Sequence, residues 1–126
     1  MAHIVVVEDN ADLRLIVAHI LKGAGHSVTE ASDGSEILEI LAKQPADLVL
    51  TDIVMPNQEG IQTIVQIRRH YPNLKIIGMS SGGSEGDGHY LEMAREFGAH
   101  ATLAKPFSKG KLLEVVDALI GAGVPA

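Results

Sequence analysis

A chain of 126 residues, 46% of them apolar, has the material for one hydrophobic core, whereas two domains would need about 100 residues each. Sixteen Asp and Glu against ten Lys and Arg give a formal net charge of -6, which argues against the basic surface that holds nucleic acid or an anionic membrane. The absence of Cys rules out disulfide scaffolds, thiol catalysis and Cys-bound zinc, and suits a reducing compartment.

The first apolar run, Ile4-Val5-Val6-Val7, is strand-sized and far shorter than a signal core or a membrane span, so a soluble cytoplasmic protein with no membrane partner is expected. Its unbroken apolar character suits a central strand of a parallel sheet covered on both faces. Leu13, Ile16, Val17, Ile20 and Leu21 then follow the stripe of an amphipathic helix, opened by Asn10 or Asp12 and ended by Gly23 and Gly25. The second strand, Val28 to Ala31, is interrupted by Thr29 and Glu30 and belongs at a sheet edge. Asp33 and Glu36 have the spacing of an N-cap and its reciprocal partner before a second helix carrying Ile37, Ile40 and Leu41, closed by Pro45. A third strand, Leu48-Val49-Leu50, leads to Asp52, and a third helix carries Ile61, Ile64, Val65 and Arg68 before Pro72. Ile76 and Ile77 lead through Met79 to Ser80 and Ser81, and a fourth helix carries Leu91, Ala94 and Phe97 before Gly98. The last strand, Ala101 to Ala104, precedes Lys105 and Pro106, and Ser108 caps a fifth helix with the stripe Leu112, Leu113, Val116, Leu119 and Ile120. One domain over 1–121 is expected, with 122–126 a flexible tail or linker stub.

Five strands alternating with five helices predict an α/β fold, a doubly wound five-stranded parallel sheet with helices on both faces. Ligands of such sheets bind beyond the carboxyl ends of the strands, where the winding reverses. Polar residues follow the first strand (Glu8, Asp9), the third (Asp52), the fourth (Ser80, Ser81) and the fifth (Lys105, Pro106), a convergence that makes sense in the order 2-1-3-4-5. Three neighbouring carboxylates raise one another's pKa unless a cation joins them, and oxygen ligands suit Mg2+. With Lys105 and a hydroxyl the set forms a receptacle for a tetrahedral dianion such as a phosphoryl group. Asp52 is the natural nucleophile, able to form an acyl phosphate while metal and Lys105 neutralise charge on the transferred group.

The acidic pair Glu8-Asp9, Asp52 followed by Met55-Pro56 and Gly60, Ser80 after the fourth strand, and Lys105-Pro106-Phe107 resemble the receiver domains of two-component response regulators, over essentially the whole chain. The resemblance implies a flavodoxin-like receiver fold and a single-domain, chemotaxis-regulator-like phosphoacceptor in place of an enzyme. It implies Mg2+-dependent transfer from a phosphohistidine of a sensor histidine kinase or phosphotransfer protein to Asp52, with the receiver assisting its own phosphorylation and dephosphorylation. Mg2+ would be bound by Asp9, Asp52 and the Val54 backbone carbonyl, with Glu8 acting through water. Lys105 would pair with the phosphoryl oxygens, the Ser80 hydroxyl would move toward them, and Lys105–Pro106 would be cis. Phosphorylation would switch a protein–protein interaction or relay the phosphate, the downstream target binding the face of the fourth helix, fifth strand and fifth helix, with no direct nucleic-acid contact.

Thr102 departs from the family pattern, which often has a swinging aromatic ring three residues before the lysine. A shallower pocket beside the fourth strand is expected, with coupling through the glycine-rich loop after Ser80. Two other readings stand beside the first: a receiver cut from a larger response regulator or hybrid histidine kinase, and a metal-dependent aspartyl-phosphate phosphohydrolase. The latter wants a second Asp two residues after the nucleophile, where Val54 stands. The six histidines show no paired metal-binding spacing, and Arg68-Arg69-His70 reads as a solvated basic face.

Overall fold

The branched apolar runs form strands β1 (His3–Val7), β2 (Ser27–Ala31), β3 (Leu48–Asp52), β4 (Lys75–Ser81) and β5 (Ala101–Lys105). In this computed structural model, which describes residues 2–53, 59–81, 92 and 94–120, they pair in the order β2-β1-β3-β4-β5, all in parallel. The order and the parallel sheet are those predicted. Helices α1 (Ala11–Gly23), α2 (Ile37–Lys43) and α3 (Glu59–His70) follow the first three strands. The described part of α4 covers 92 and 94–97, and α5 (Lys109–Ile120) ends the described chain. The expected tail at 122–126, the expected glycine-rich loop after Ser80, Leu91, and Val54, Met55 and Pro56 lie outside the described residues.

Alternation along the strands splits the core in two. Ile4, Val6, Leu48, Leu50, Ile77, Met79 and Leu103 pack with Val17 and Leu21 of α1 and Leu112 and Val116 of α5. Val5, Val7, Val49 and Ile76 pack on the opposite face with Ile37 and Leu41 of α2, Ile64 and Ile67 of α3, and Ala94 of α4. Burial on both faces explains why β1 and β3 are continuously apolar, while β2, half-exposed at the edge, tolerates Ser27, Thr29 and Glu30.

Local chemistry sets the helix ends. Asn10 opens α1, its Oδ1 accepting from Leu13 N–H at 3.1 Å, and Ser108 Oγ accepts from Lys111 N–H at 3.0 Å to open α5. Gly25, at φ 100°, supplies the left-handed residue after α1. Asp33 departs from expectation: it accepts from Ser35 N–H at 2.7 Å and opens a short 3-10 turn, Gly34–Glu36. Glu36, at the N-cap of α2, makes no capping bond, so the predicted reciprocal pair does not form.

The apolar stripe of α1 is also displaced. Ile16, predicted to be core, is 56% exposed beside Leu15 at 58%, while Val17, Ala18 and Leu21 are buried. Ile16 lies about 100° round the helix from Val17, and the small Ala18 takes the close-packed flank instead. Phe97 is likewise exposed, whereas Ala94 is buried. Arg68, expected on a solvated face, donates to Tyr71 O at 3.3 Å, Pro72 O at 2.6 Å and Gly98 O at 2.7 Å, tying the end of α3 to the turn before β5. His100 Nδ1 accepts from Ile76 N–H at 3.2 Å, and burial, with Arg68 and Lys75 nearby, lowers its pKa and keeps the ring an acceptor. No helix among the described residues is long and apolar enough to cross a membrane.

The buried Gly34 is the tightest point between the 3-10 turn and α3: a Cβ there would lie 1.8 Å from Thr63 Oγ1 and 3.0 Å from Thr63 Cβ. Gly34→Ala is therefore expected to cost about 1–3 kcal/mol, read as a lower urea midpoint, and a Thr63→Ala background should recover part of the loss. An unchanged midpoint would contradict this packing.

Candidate functional site

The carboxyl ends of β1, β3 and β5 bring together four charged groups that are far apart in sequence. Glu8 follows β1 directly and stays tied to β2, its N–H donating to Ala31 O at 3.0 Å. Its side chain is held at both oxygens, by Asn10 N–H at 3.1 Å on Oε2 and by Lys105 Nζ at 2.6 Å on Oε1. Asp52 ends β3, and its Oδ2 lies 3.3 Å from the same ammonium. Glu8 and Asp52 are buried, at 1% and 4% exposure, whereas Asp9 is exposed at the rim. One carboxylate oxygen from each of Glu8, Asp9 and Asp52 lies within 4.8 Å of the others.

This packing has an electrostatic cost. Burial raises the pKa of Glu8, and the Asp52 charge pushes the same way, while the hydrogen bonds from Lys105 and Asn10 N–H pull it down. Lys105 thus offsets much of the repulsion, yet three carboxylates against one ammonium still leave two negative charges when all are ionised.

The other expected site residues occupy the neighbouring strands. Asp52 stands opposite Met79, and the ladder continues one residue further, Ile53 N–H donating to Met79 O at 2.8 Å. Ser80 comes next along β4, opposite Ala104, which precedes Lys105. Ser80 is buried, and its Oγ has no hydrogen-bond partner, an uncommon condition for a buried hydroxyl. Thr102 is half-buried on β5 opposite Gly78. The Lys105–Pro106 peptide bond is cis. Val54 lies outside the described residues.

Arg14 is a residue that the sequence reading passed over. From α1 its Nη1 donates to Glu8 O at 2.7 Å and its Nε to Glu30 Oε1 at 3.3 Å. The available signal is weak: an Arg at the end of the first turn of α1 and a lone Glu in the edge strand. A cleft of about 630 Å³ lies at the other end of the sheet, between residues such as Leu41, Tyr71, Leu74 and Ile120, and none of the acidic cluster lines it.

Comparison with known proteins agrees with this geometry. The sequence pattern described as the response regulator receiver domain matches residues 4–117. The chain is 32% identical over 120 residues to the probable chemotaxis protein CheY of Rhizobium etli, covering 94% of this chain and 92% of that protein. It is 36% identical over 120 residues to the CAI-1 autoinducer sensor kinase/phosphatase CqsS of Vibrio cholerae, covering 93% of this chain and 17% of the kinase. It spans 24% of the DNA-binding transcriptional regulator NtrC of Escherichia coli at 33% identity, over 91% of this chain. Among solved structures, the receiver domain of NtrX from Brucella abortus superposes with a TM-score of 0.87 at 27% identity, covering 95% of this chain and 99% of that one. Vibrio cholerae CheY4 gives 0.83 at 28% identity, covering 94% and 98%.

Removal of the shared cation tests the electrostatics. Lys105→Met removes the ammonium that the two buried carboxylates share, and in metal-chelated buffer it should cost about 3 kcal/mol of stability at pH 8. A carboxyl whose pKa is raised on folding holds its proton more tightly in the native state, so its contribution is present at low pH and lost as pH rises through the folded value. Without Lys105 that upward shift grows, so the deficit in urea unfolding should be smaller at pH 5.5 than at pH 8; a deficit independent of pH would contradict the assignment.

Proposed function

The chain belongs to the response regulator receiver family, signalling domains that are generally not enzymes, and on that premise we propose that it accepts a phosphoryl group on Asp52 from a phosphohistidine. The carrying observation is the cluster itself: Glu8, Asp9 and Asp52 oxygens within 4.8 Å, with Lys105 joined to two of the three side chains. An Asp52 oxygen attacks phosphorus, the P–N bond to the donor imidazole breaks, and an acyl phosphate forms on the receiver. The all-oxygen donor set, three carboxylates beside one ammonium, fits a hard divalent cation. Mg2+ held by Asp9, Asp52 and the Val54 carbonyl, with Glu8 acting through water, would supply neutralisation of charge on the transferred oxygens. Both Glu8 oxygens already have donors in Lys105 and Asn10, which favours the indirect role over direct ligation.

Lys105 binds a phosphoryl oxygen in the product and so couples the state of Asp52 to β5. The unpartnered Ser80 hydroxyl gains an acceptor when the phosphoryl group arrives, which draws the end of β4 toward the site. This differential bond shifts the balance between two conformations, and Thr102 on the adjacent strand places no aromatic ring in that path. The donor is a sensor histidine kinase or a phosphotransfer protein. The output is a changed affinity for a protein target on the α4-β5-α5 face, or onward relay of the phosphate, in the cytoplasm and without direct contact to nucleic acid. Residues 1–121 constitute the module.

Incubation with acetyl phosphate and Mg2+ should add one phosphoryl group in intact-protein mass, absent in Asp52→Asn and in chelated samples. Addition that persists in Asp52→Asn would place the acceptor elsewhere.

A further inference from the structure

The peptide joining Glu8 to Asp9 lies just past the β1–β3 pairing, which ends with Val7 opposite Thr51. The amide of Glu8 is anchored on β2 through Ala31 O. Its carbonyl takes a donor from a side chain instead, Arg14 Nη1 at 2.7 Å, which answers the need of a sheltered carbonyl for a partner. The same guanidinium is braced from behind, Nε donating to Glu30 Oε1 at 3.3 Å, with the two side chains only 19% and 30% exposed. The planar fork of Arg sets two donor nitrogens, Nε and Nη1, at a fixed separation, a geometry that the one nitrogen of a lysine ammonium does not reproduce even though it carries three donors.

We infer that Arg14 is a positioning residue for the acidic cluster: it fixes the orientation of the Glu8–Asp9 peptide, with Glu30 as its backstop, and so sets where Asp9 stands relative to Glu8 and Asp52. The inference rests on the metal-dependent reading above and extends it to two residues outside the cluster. Removing Arg14 has two consequences of opposite sign. Loss of a nearby positive charge favours a bound cation, whereas loss of the peptide anchor disfavours it. A residue that mattered only through its charge would therefore shift affinity in the direction opposite to that of a positioning residue.

The test is the Mg2+ dissociation constant of the full chain by calorimetry, for the wild type, Arg14→Gln, Arg14→Lys, Glu30→Gln and Asp9→Asn, each checked for an intact fold by circular dichroism. Arg14→Gln should bind Mg2+ about tenfold more weakly despite its lost positive charge. Arg14→Lys, with the charge kept, should also bind more weakly, and Glu30→Gln should weaken binding less. Unchanged or tighter binding in folded Arg14→Gln would overturn the inference. If the wild type does not bind Mg2+, or Asp9→Asn binds as the wild type does, the metal reading itself fails. The metal-free amide spectrum then decides on Arg14: displaced Glu8, Asp9 and Asn10 signals in Arg14→Lys support the anchor, and unmoved signals overturn it.

Discussion

The ammonium of Lys105 is bonded to Glu8 at 2.6 Å and to Asp52 at 3.3 Å, and the arrangement of the molecule follows from making those bonds possible. Lys105 and Glu8 are separated by 97 positions in sequence. They meet because β1, β3, β4 and β5 run in parallel and end at the same edge of the sheet. Two carboxylates this buried would be strongly destabilising without a shared cation. The parallel order puts the cation-bearing strand one place beyond β4, within reach of both. The same geometry leaves Asp9 at the rim, where a third carboxylate can share a metal with Asp52 and still face solvent.

The rest of the fold supports this edge by fixing the strands at their other end and on both faces. Arg68 closes the end of α3 onto the turn before β5, and His100 accepts the Ile76 amide where β4 begins. Gly34 lets the turn after β2 lie directly on Thr63 of α3. These contacts hold strand starts and helix ends, and among the described residues the one buried side-chain polar atom without a hydrogen-bond partner is Ser80 Oγ, on the strand next to Asp52. On the proposed reading, an orphan hydroxyl on the strand beside Asp52 would give a physical route from chemistry to shape, because a phosphoryl oxygen would supply the acceptor it lacks.

Much of this was legible in the sequence because it depends on short-range rules. Unbroken branched runs at Ile4 and Leu48 mark doubly covered strands, the polar β2 marks an edge, and Asn10 and Ser108 mark helix starts. The residues after each strand pointed to the cluster once a parallel order was assumed. Periodicity, however, defines a stripe without locating its centre: Ile16 falls outside a core that takes Ala18 instead, and of the predicted pair Ala94 and Phe97 only Ala94 is buried. The Asp33–Glu36 spacing was met by a 3-10 turn whose geometry follows from the contact with Thr63, a tertiary constraint with no local signature. Arg14 carries little signal and Arg68 reads as part of a solvated basic face for a common reason: each serves backbone carbonyls left open by turns, and no pattern of residue types reveals an open carbonyl.

On the proposed reading, Asp52, a divalent cation and Lys105 form one receptacle for a tetrahedral phosphoryl group. Fluorine NMR of the chain with beryllofluoride, a mimic of that group, tests it most directly. Bound fluoride signals should require Mg2+ and vanish in Asp52→Asn. Bound signals without any divalent cation, or retained in Asp52→Asn, would contradict it.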